Sequence, residues 1–134
     1  MREKIEFELV APERLVSSEP VEMVVVPGSE GDFGALPRHA PLITAVRPGV
    51  IDIYQMDTVQ ERIFVSGGFA EVNEQRITVL AEEAIPLAEL DRETVAARLR
   101  AAEQQLAAAE TADARARAQQ ALRVAQAMQV ALTH

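Results

Sequence analysis

The chain has 134 residues, 49% of them hydrophobic and 25% charged, with a formal charge of −8 and no cysteine. This is the composition of one folded domain, or of a small domain with an appendage, rather than of a disordered segment. The acidic excess repels a phosphate backbone and argues against a nucleic-acid partner, and the missing cysteines remove disulfides, thiolate zinc sites and cysteine nucleophiles.

The first part of the chain has the two-residue period of strands. Ile5, Phe7 and Leu9 alternate with Glu6 and Glu8, giving one apolar and one charged face. Val21 to Val26 is a β-branched run ended by Pro27-Gly28, and Leu42 to Val46 stops before Pro48-Gly49. Val50 to Met56 and Val59 to Val65 read as two strands around a turn at Asp57-Thr58. Gly67-Gly68 interrupts the pattern again, and Arg76 to Ala81 closes it. Short strands separated by glycine and proline turns indicate an all-β sandwich or barrel.

The pattern changes at Ile85-Pro86. Beyond Pro86 there is no glycine or proline and alanine dominates, which predicts helix over nearly the whole stretch. Asp91 is the expected N-cap, with Glu93 in the first turn. The seam of the first helix reads Val95, Leu99, Ala102, Leu106, Ala109, stepping by four and three. Thr111 and Asp113 are capping residues and predict a tight reversal. The second seam reads Ala114, Ala118, Ala121, Ala125, Met128, Leu132. Two helices of about 18 to 20 residues form an antiparallel helical hairpin. Charge divides at the same boundary: residues 1–84 hold 7 basic and 15 acidic side chains, and residues 85–134 hold 6 of each.

No apolar run approaches the roughly 20 residues that cross a bilayer, and no secretory start is visible. The segment Gly28-Ser29-Glu30-Gly31-Asp32-Phe33-Gly34 lacks the Lys and Ser/Thr of a phosphate loop, and Glu30 and Asp32 would repel phosphate. It reads as a glycine-rich hairpin exposing two acids. His39 is the only histidine apart from the final His134, and a hydrogen-bonded structural role suits it better than metal ligation. Ser66-Gly67-Gly68 lacks the flanks of a nucleophile elbow and reads as a strand bend that permits close packing. These residues favour an interaction protein over an enzyme. The alternative is a freestanding ligand-binding β-sandwich, or a small hydrolase, using Asp32, His39 or Ser66.

The segments GSEGDFGALPRHAPLIT (28–44), RPGVI (47–51), FVSGGFAEV (64–72) and ITVLA (77–81) together resemble the epsilon-subunit family of the bacterial F-type ATP synthase. The resemblance is dense over the β half and reaches the helical half through its architecture. It implies an N-terminal sandwich of about ten strands, residues 1–84, and a C-terminal helix-loop-helix, residues 85–134. It implies a non-catalytic rotor subunit of the central stalk, coupling proton-driven rotation to ATP synthesis. The gamma subunit and the ring of c subunits are the implied partners, with Glu30, Gly31 and Asp32 facing the ring and His39, Ala40 and Pro41 close to gamma.

In the family the hairpin is regulatory: extended along gamma it reaches the alpha and beta subunits and obstructs ATP hydrolysis. Some members bind ATP through Ile/Leu-Asp-x-x-Arg-Ala. This sequence has Leu90-Asp91 but then Thr94 and Val95 in place of Arg and Ala, leaving Asp91, Arg92, Arg98 and Arg123 as an incomplete set; Arg115 is one more candidate cation. Weak or absent ATP-Mg binding is therefore expected, with no resident cofactor, metal or catalytic residue. The family setting implies a peripheral position on the cytoplasmic face of the bacterial inner membrane, within the F1 sector and without direct lipid contact. The lack of a transit segment points to a bacterial rather than a mitochondrial source.

Overall fold

The computed structural model describes residues 3–12 and 14–134. The chain divides into two compact units, one ending at Leu87 and the other running from Ala88 to His134. The division falls past the expected 84/85 boundary because a last short strand, Ala84–Pro86, pairs with the strand that holds Ile63, Phe64 and Val65.

The first unit is a ten-stranded β-sandwich: β1 Ile5–Ala11, β2 Arg14–Val21, β3 Met23–Gly28, β4 Gly31–Ala35, β5 Leu42–Val46, β6 Gly49–Gln55, β7 Thr58–Val65, β8 Gly68–Val72, β9 Arg76–Ala81 and β10 Ala84–Pro86. Neighbouring strands follow the order β10-β7-β6-β3-β5-β8-β9-β1-β2, with β4 added to β3. β3 meets β5 at one register pair, Gly28 opposite Val46, and there the sheet passes from one layer into the other. The far end is tied back: the Glu22 N–H donates to the Tyr54 carbonyl at 3.2 Å, and Gln55 Nε2 donates to the Pro20 carbonyl at 2.9 Å. All pairings are antiparallel except β1 with β9.

The alternation read from the sequence builds the core. Ile5, Phe7 and Leu9 from β1 meet Val24 and Val26, Ile51 and Ile53, Ile63 and Val65, and Ile77 and Val79, all buried. Each such side chain contributes about 1.5–3 kcal/mol by leaving water.

Several boundaries differ from the sequence expectation. Val21 ends β2 and is separated by Glu22 from β3, so Val21 to Val26 is not one strand. The β6–β7 turn is Met56-Asp57, not Asp57-Thr58, because Gln55 pairs with Thr58. Both turn residues have positive φ, 55° and 66°, the type I′ conformation whose twist matches a hairpin.

The second unit is the expected helical pair, α1 Arg92–Ala108 and α2 Ala112–Ala131, preceded by a 3-10 turn at Leu87–Glu89. Asp91 caps α1 and Thr111 caps α2; Asp113 lies in the first turn of α2 and is not its cap. Of the expected seam residues, Val95, Ala102, Ala118, Ala125 and Met128 are buried, whereas Leu99, Leu106 and Ala121 are half-buried. Val124 and Ala131 are buried in addition.

Candidate functional site

The glycine-rich segment forms the tip of the β3–β4 hairpin. Pairing runs from Val24 opposite Ala35 to Gly28 opposite Gly31, leaving Ser29 and Glu30 as the turn. Gly31 has φ of 134°, a backbone shape that glycine adopts freely. At Gly28 a Cβ would come within 2.8 Å of the Gly31 carbonyl oxygen, so the close approach of the two strands excludes any side chain there.

Arg47, in the segment joining β5 to β6, grips this tip. Its Nη1 donates to the Gly28 carbonyl at 2.5 Å, its Nη2 donates to Asp32 Oδ1 at 2.5 Å, and its own N–H donates to the Pro27 carbonyl at 2.9 Å. The Ser29 N–H donates to the Ala45 carbonyl at 2.9 Å. Glu30 and Gly31 are exposed at the turn. Asp32 is exposed like Glu30, but its carboxylate is matched by Arg47.

His39, Ala40 and Pro41 lie in the loop between β4 and β5. His39 is half-buried, its Nδ1–H donating to the Ala40 carbonyl at 2.6 Å, and its ring is tilted at 49° to Phe33 with centroids 6.4 Å apart. Ala40 and Pro41 are exposed. The bend is made by Arg38, which has φ of 68° and donates its N–H to the Glu74 carbonyl at 2.8 Å.

A larger feature escaped the sequence reading. On the outer face of β5-β8-β9-β1-β2, Ala45 faces Phe69, Phe69 faces Leu80, Leu80 faces Val10 and Val10 faces Leu15. Phe69, Leu80 and Leu15 are 62%, 55% and 57% exposed, a contiguous apolar row on five strands. Beside it runs a second row, Ile43, Glu71, Thr78, Glu8, Ser18, in which Ile43 is 74% exposed. A shallow concavity of about 400 Å³, bordered by Val10, Pro12, Gly68, Phe69, Leu80 and Glu82, opens onto the apolar row. The signal was available: Val10, Phe69 and Leu80 occupy outward positions of alternating strands, where polar residues are the rule. Contiguous exposed apolar surface of this kind marks an interaction site.

In the hairpin unit, the Asp91 carboxylate accepts from Thr94 N–H at 3.0 Å and from Thr94 Oγ1–H at 2.9 Å through the same oxygen. These bonds hold its carboxyl below the ordinary 3.8, the Thr94 backbone bond foremost. Arg123 is occupied with Gln120 Oε1 on its own helix, donating from Nη2 at 2.7 Å and from Nε at 3.1 Å. Arg92 is exposed and Arg98 half-buried. Asp91 and Arg123 are thus each engaged locally, and Thr94, where the nucleotide motif has its arginine, serves the cap.

Residues 4–87 match the family described as "ATP synthase, Delta/Epsilon chain, beta-sandwich domain". The chain belongs to the ATP synthase epsilon-chain family. It is similar to the ATP synthase epsilon chain of Rhodospirillum rubrum, with 61% identity over 128 residues and 96% of each chain covered. It is also similar to that of Paramagnetospirillum magneticum, with 58% identity covering 98% of this chain and 99% of the relative. A chain in the Euglena gracilis mitochondrial ATP synthase, from a structure of its OSCP/F1/c-ring, superimposes with a TM-score of 0.82 at 25% identity, covering 98% of this chain and 83% of that one.

Membership in the ATP synthase epsilon-chain family does not fit the alternative of a freestanding ligand-binding sandwich. Asp32 is paired with Arg47, His39 with the adjacent carbonyl, and Ser66 lies buried before the Gly67-Gly68 bend. No helix among the described residues is long and apolar enough to cross a membrane.

Proposed function

We propose that this epsilon chain is a non-catalytic rotor subunit of the central stalk, coupling proton-driven rotation to ATP synthesis. Its place is peripheral, on the cytoplasmic face of the bacterial inner membrane. The observation that carries this reading is the exposed apolar row Ala45, Phe69, Leu80, Val10, Leu15 on the outer sandwich layer. A subunit that transmits torque needs a dry, complementary face against its neighbour, and burying Phe69 and Leu80 in a partner would supply a hot-spot centre. The gamma subunit is the partner assigned to that row, with His39, Ala40 and Pro41 contributing close to it. The acid-bearing turn at Glu30 is assigned to the polar loops of the c ring, whose basic and amide groups suit a free carboxylate.

The helical pair is assigned a regulatory part, restraining ATP hydrolysis when it extends along gamma toward the alpha and beta subunits. Its buried positions are largely alanine, and alanine removes little apolar area per residue. ATP-Mg is not expected to bind the α1 start tightly, because Thr94 replaces the motif arginine.

The test is reconstitution of enzyme depleted of this subunit with the full chain or with Phe69→Glu/Leu80→Glu. The wild-type chain should capture gamma and restore proton-coupled ATP synthesis. The double variant should fold, because both side chains are exposed, yet fail to capture gamma. Capture unaffected by the two charges would overturn the assignment of the row.

A further inference from the structure

The β3–β4 tip carries two acids in its sequence but presents them unequally. Glu30 sits at the turn, exposed and with no hydrogen bond or ion pair among the described residues, whereas Asp32 is held by Arg47. Arg47 also spans the hairpin: one nitrogen of its planar head reaches the β3 carbonyl of Gly28 and another reaches the β4 side chain of Asp32. Its backbone N–H and that of Ser29 complete the tie to β3 and β5. A two-pronged planar donor can satisfy both acceptors at once, which a lysine ammonium does less well.

We propose that Arg47 is the positioning and charge-setting residue of the tip. It fixes the turn that carries Glu30 and neutralises Asp32, so that Glu30 is the one free carboxylate offered to a basic or amide-bearing partner surface. This rests on the reading that the tip faces the c ring. Arg47 does not touch the ring; it acts through Glu30.

The consequence is directional. Without Arg47 the Gly28 carbonyl and the Asp32 carboxylate return to water, the turn loosens, and the tip carries two mobile acids instead of one fixed acid. Because the Arg47–Asp32 pair is partly exposed, with side chains 44% and 61% accessible, its loss should leave the fold intact.

Two measurements test this. In the isolated full chain, Arg47→Ala should speed hydrogen exchange at the Ser29 amide by about fivefold while leaving exchange in β1 and β9 unchanged. Unchanged Ser29 exchange would overturn the proposal whatever the ring does. The second is a double-mutant cycle with Glu30→Ala, read as affinity for enzyme depleted of this subunit but retaining its stalk and c ring. Arg47→Ala should weaken binding several-fold in the wild-type background and weaken it no further in the Glu30→Ala background, since the loss that runs through Glu30 is already complete there.

Equal effects in both backgrounds would show that Arg47 acts independently of Glu30 and would overturn the proposal. No effect of Glu30→Ala by itself would instead overturn the ring-facing reading, and Ser29 exchange would still decide whether Arg47 holds the tip. Should Arg47→Ala fail to fold, Arg47→Lys replaces it, with the same expected direction and a smaller change.

Discussion

A Cβ placed on Gly68 would lie 1.9 Å from the Leu80 carbonyl oxygen and 2.9 Å from its carbon. Gly68 opens β8 opposite Ala81 of β9, and its φ of 145° is one that L side chains rarely adopt. The neighbour that blocks it is backbone, which cannot rotate away. Close approach of the two strands here places Phe69 and Leu80 side by side on the outer face.

Gly68→Ala should therefore destabilise the sandwich by about 3 kcal/mol or more, through combined backbone strain and steric displacement of β9. Urea denaturation with the two-state slope compared between variants checks this. A loss below ~1 kcal/mol would show that β8 can shift without cost.

The turn at Met56 and Asp57 uses left-handed backbone, which aspartate tolerates and methionine disfavours. Met56→Asn with Asp57→Gly should stabilise the protein by about 1 kcal/mol or somewhat more, raising its melting temperature by several degrees. Met56 is 72% exposed, so little packing is lost. A melting temperature that falls would mean that the Met56 or Asp57 side chain makes an interaction worth more than the strain.

At Asp91 the folded carboxyl is held below 3.8 by its bonds to Thr94. A depressed folded value means that the cap contributes fully above the unfolded value of 3.8 and is lost as pH falls through the lower folded value. The α1 start should lose helicity on acidification from about pH 5 to pH 2, and Asp91→Asn should make that part of the change disappear while preserving a cap. Helicity measured by far-ultraviolet circular dichroism in both proteins decides it; identical acid profiles would rule out the cap as the origin.

Leu99 and Ala102 separate two positions of one seam. Ala102 is buried whereas Leu99 is half-buried, so Ala102→Asp should lower stability by about 2–4 kcal/mol and Leu99→Asp by about half as much. Thermal melts of the two variants check the order, and a larger loss at Leu99 would reverse the assignment of the seam.

How far the fold was legible depended on how local its cause was. Ile5, Phe7 and Leu9, and Arg76 to Ala81, could be assigned because alternation over a single strand is set by the pleat alone. β2 was not legible: Leu15, Ser17 and Glu19 lack an apolar face, and the strand exists because β1 pairs with it. β10 spans three residues, too short to show a period, and is held by β7. Asp91 and Thr111 were readable as caps because a cap bonds to a residue three positions away. The segment Gly28 to Gly34 was legible from composition as a hairpin exposing two acids, but the pairing of Asp32 spans fifteen residues to Arg47 and left no mark on its own segment.

The sequence by itself determined the two-part plan, strands before Pro86 and helices after it, because period, turn residues and alanine content act over a few neighbouring positions. Only the tertiary structure decided that Val10, Leu15, Phe69 and Leu80 form one apolar row, since β1 meets β9 in parallel across most of the sandwich's sequence length. It also decided that Arg47 leaves Glu30 as the free acid of its turn. Both are relations between residues distant along the chain, and they exist once hydrogen-bond register and core burial have fixed which strands lie together.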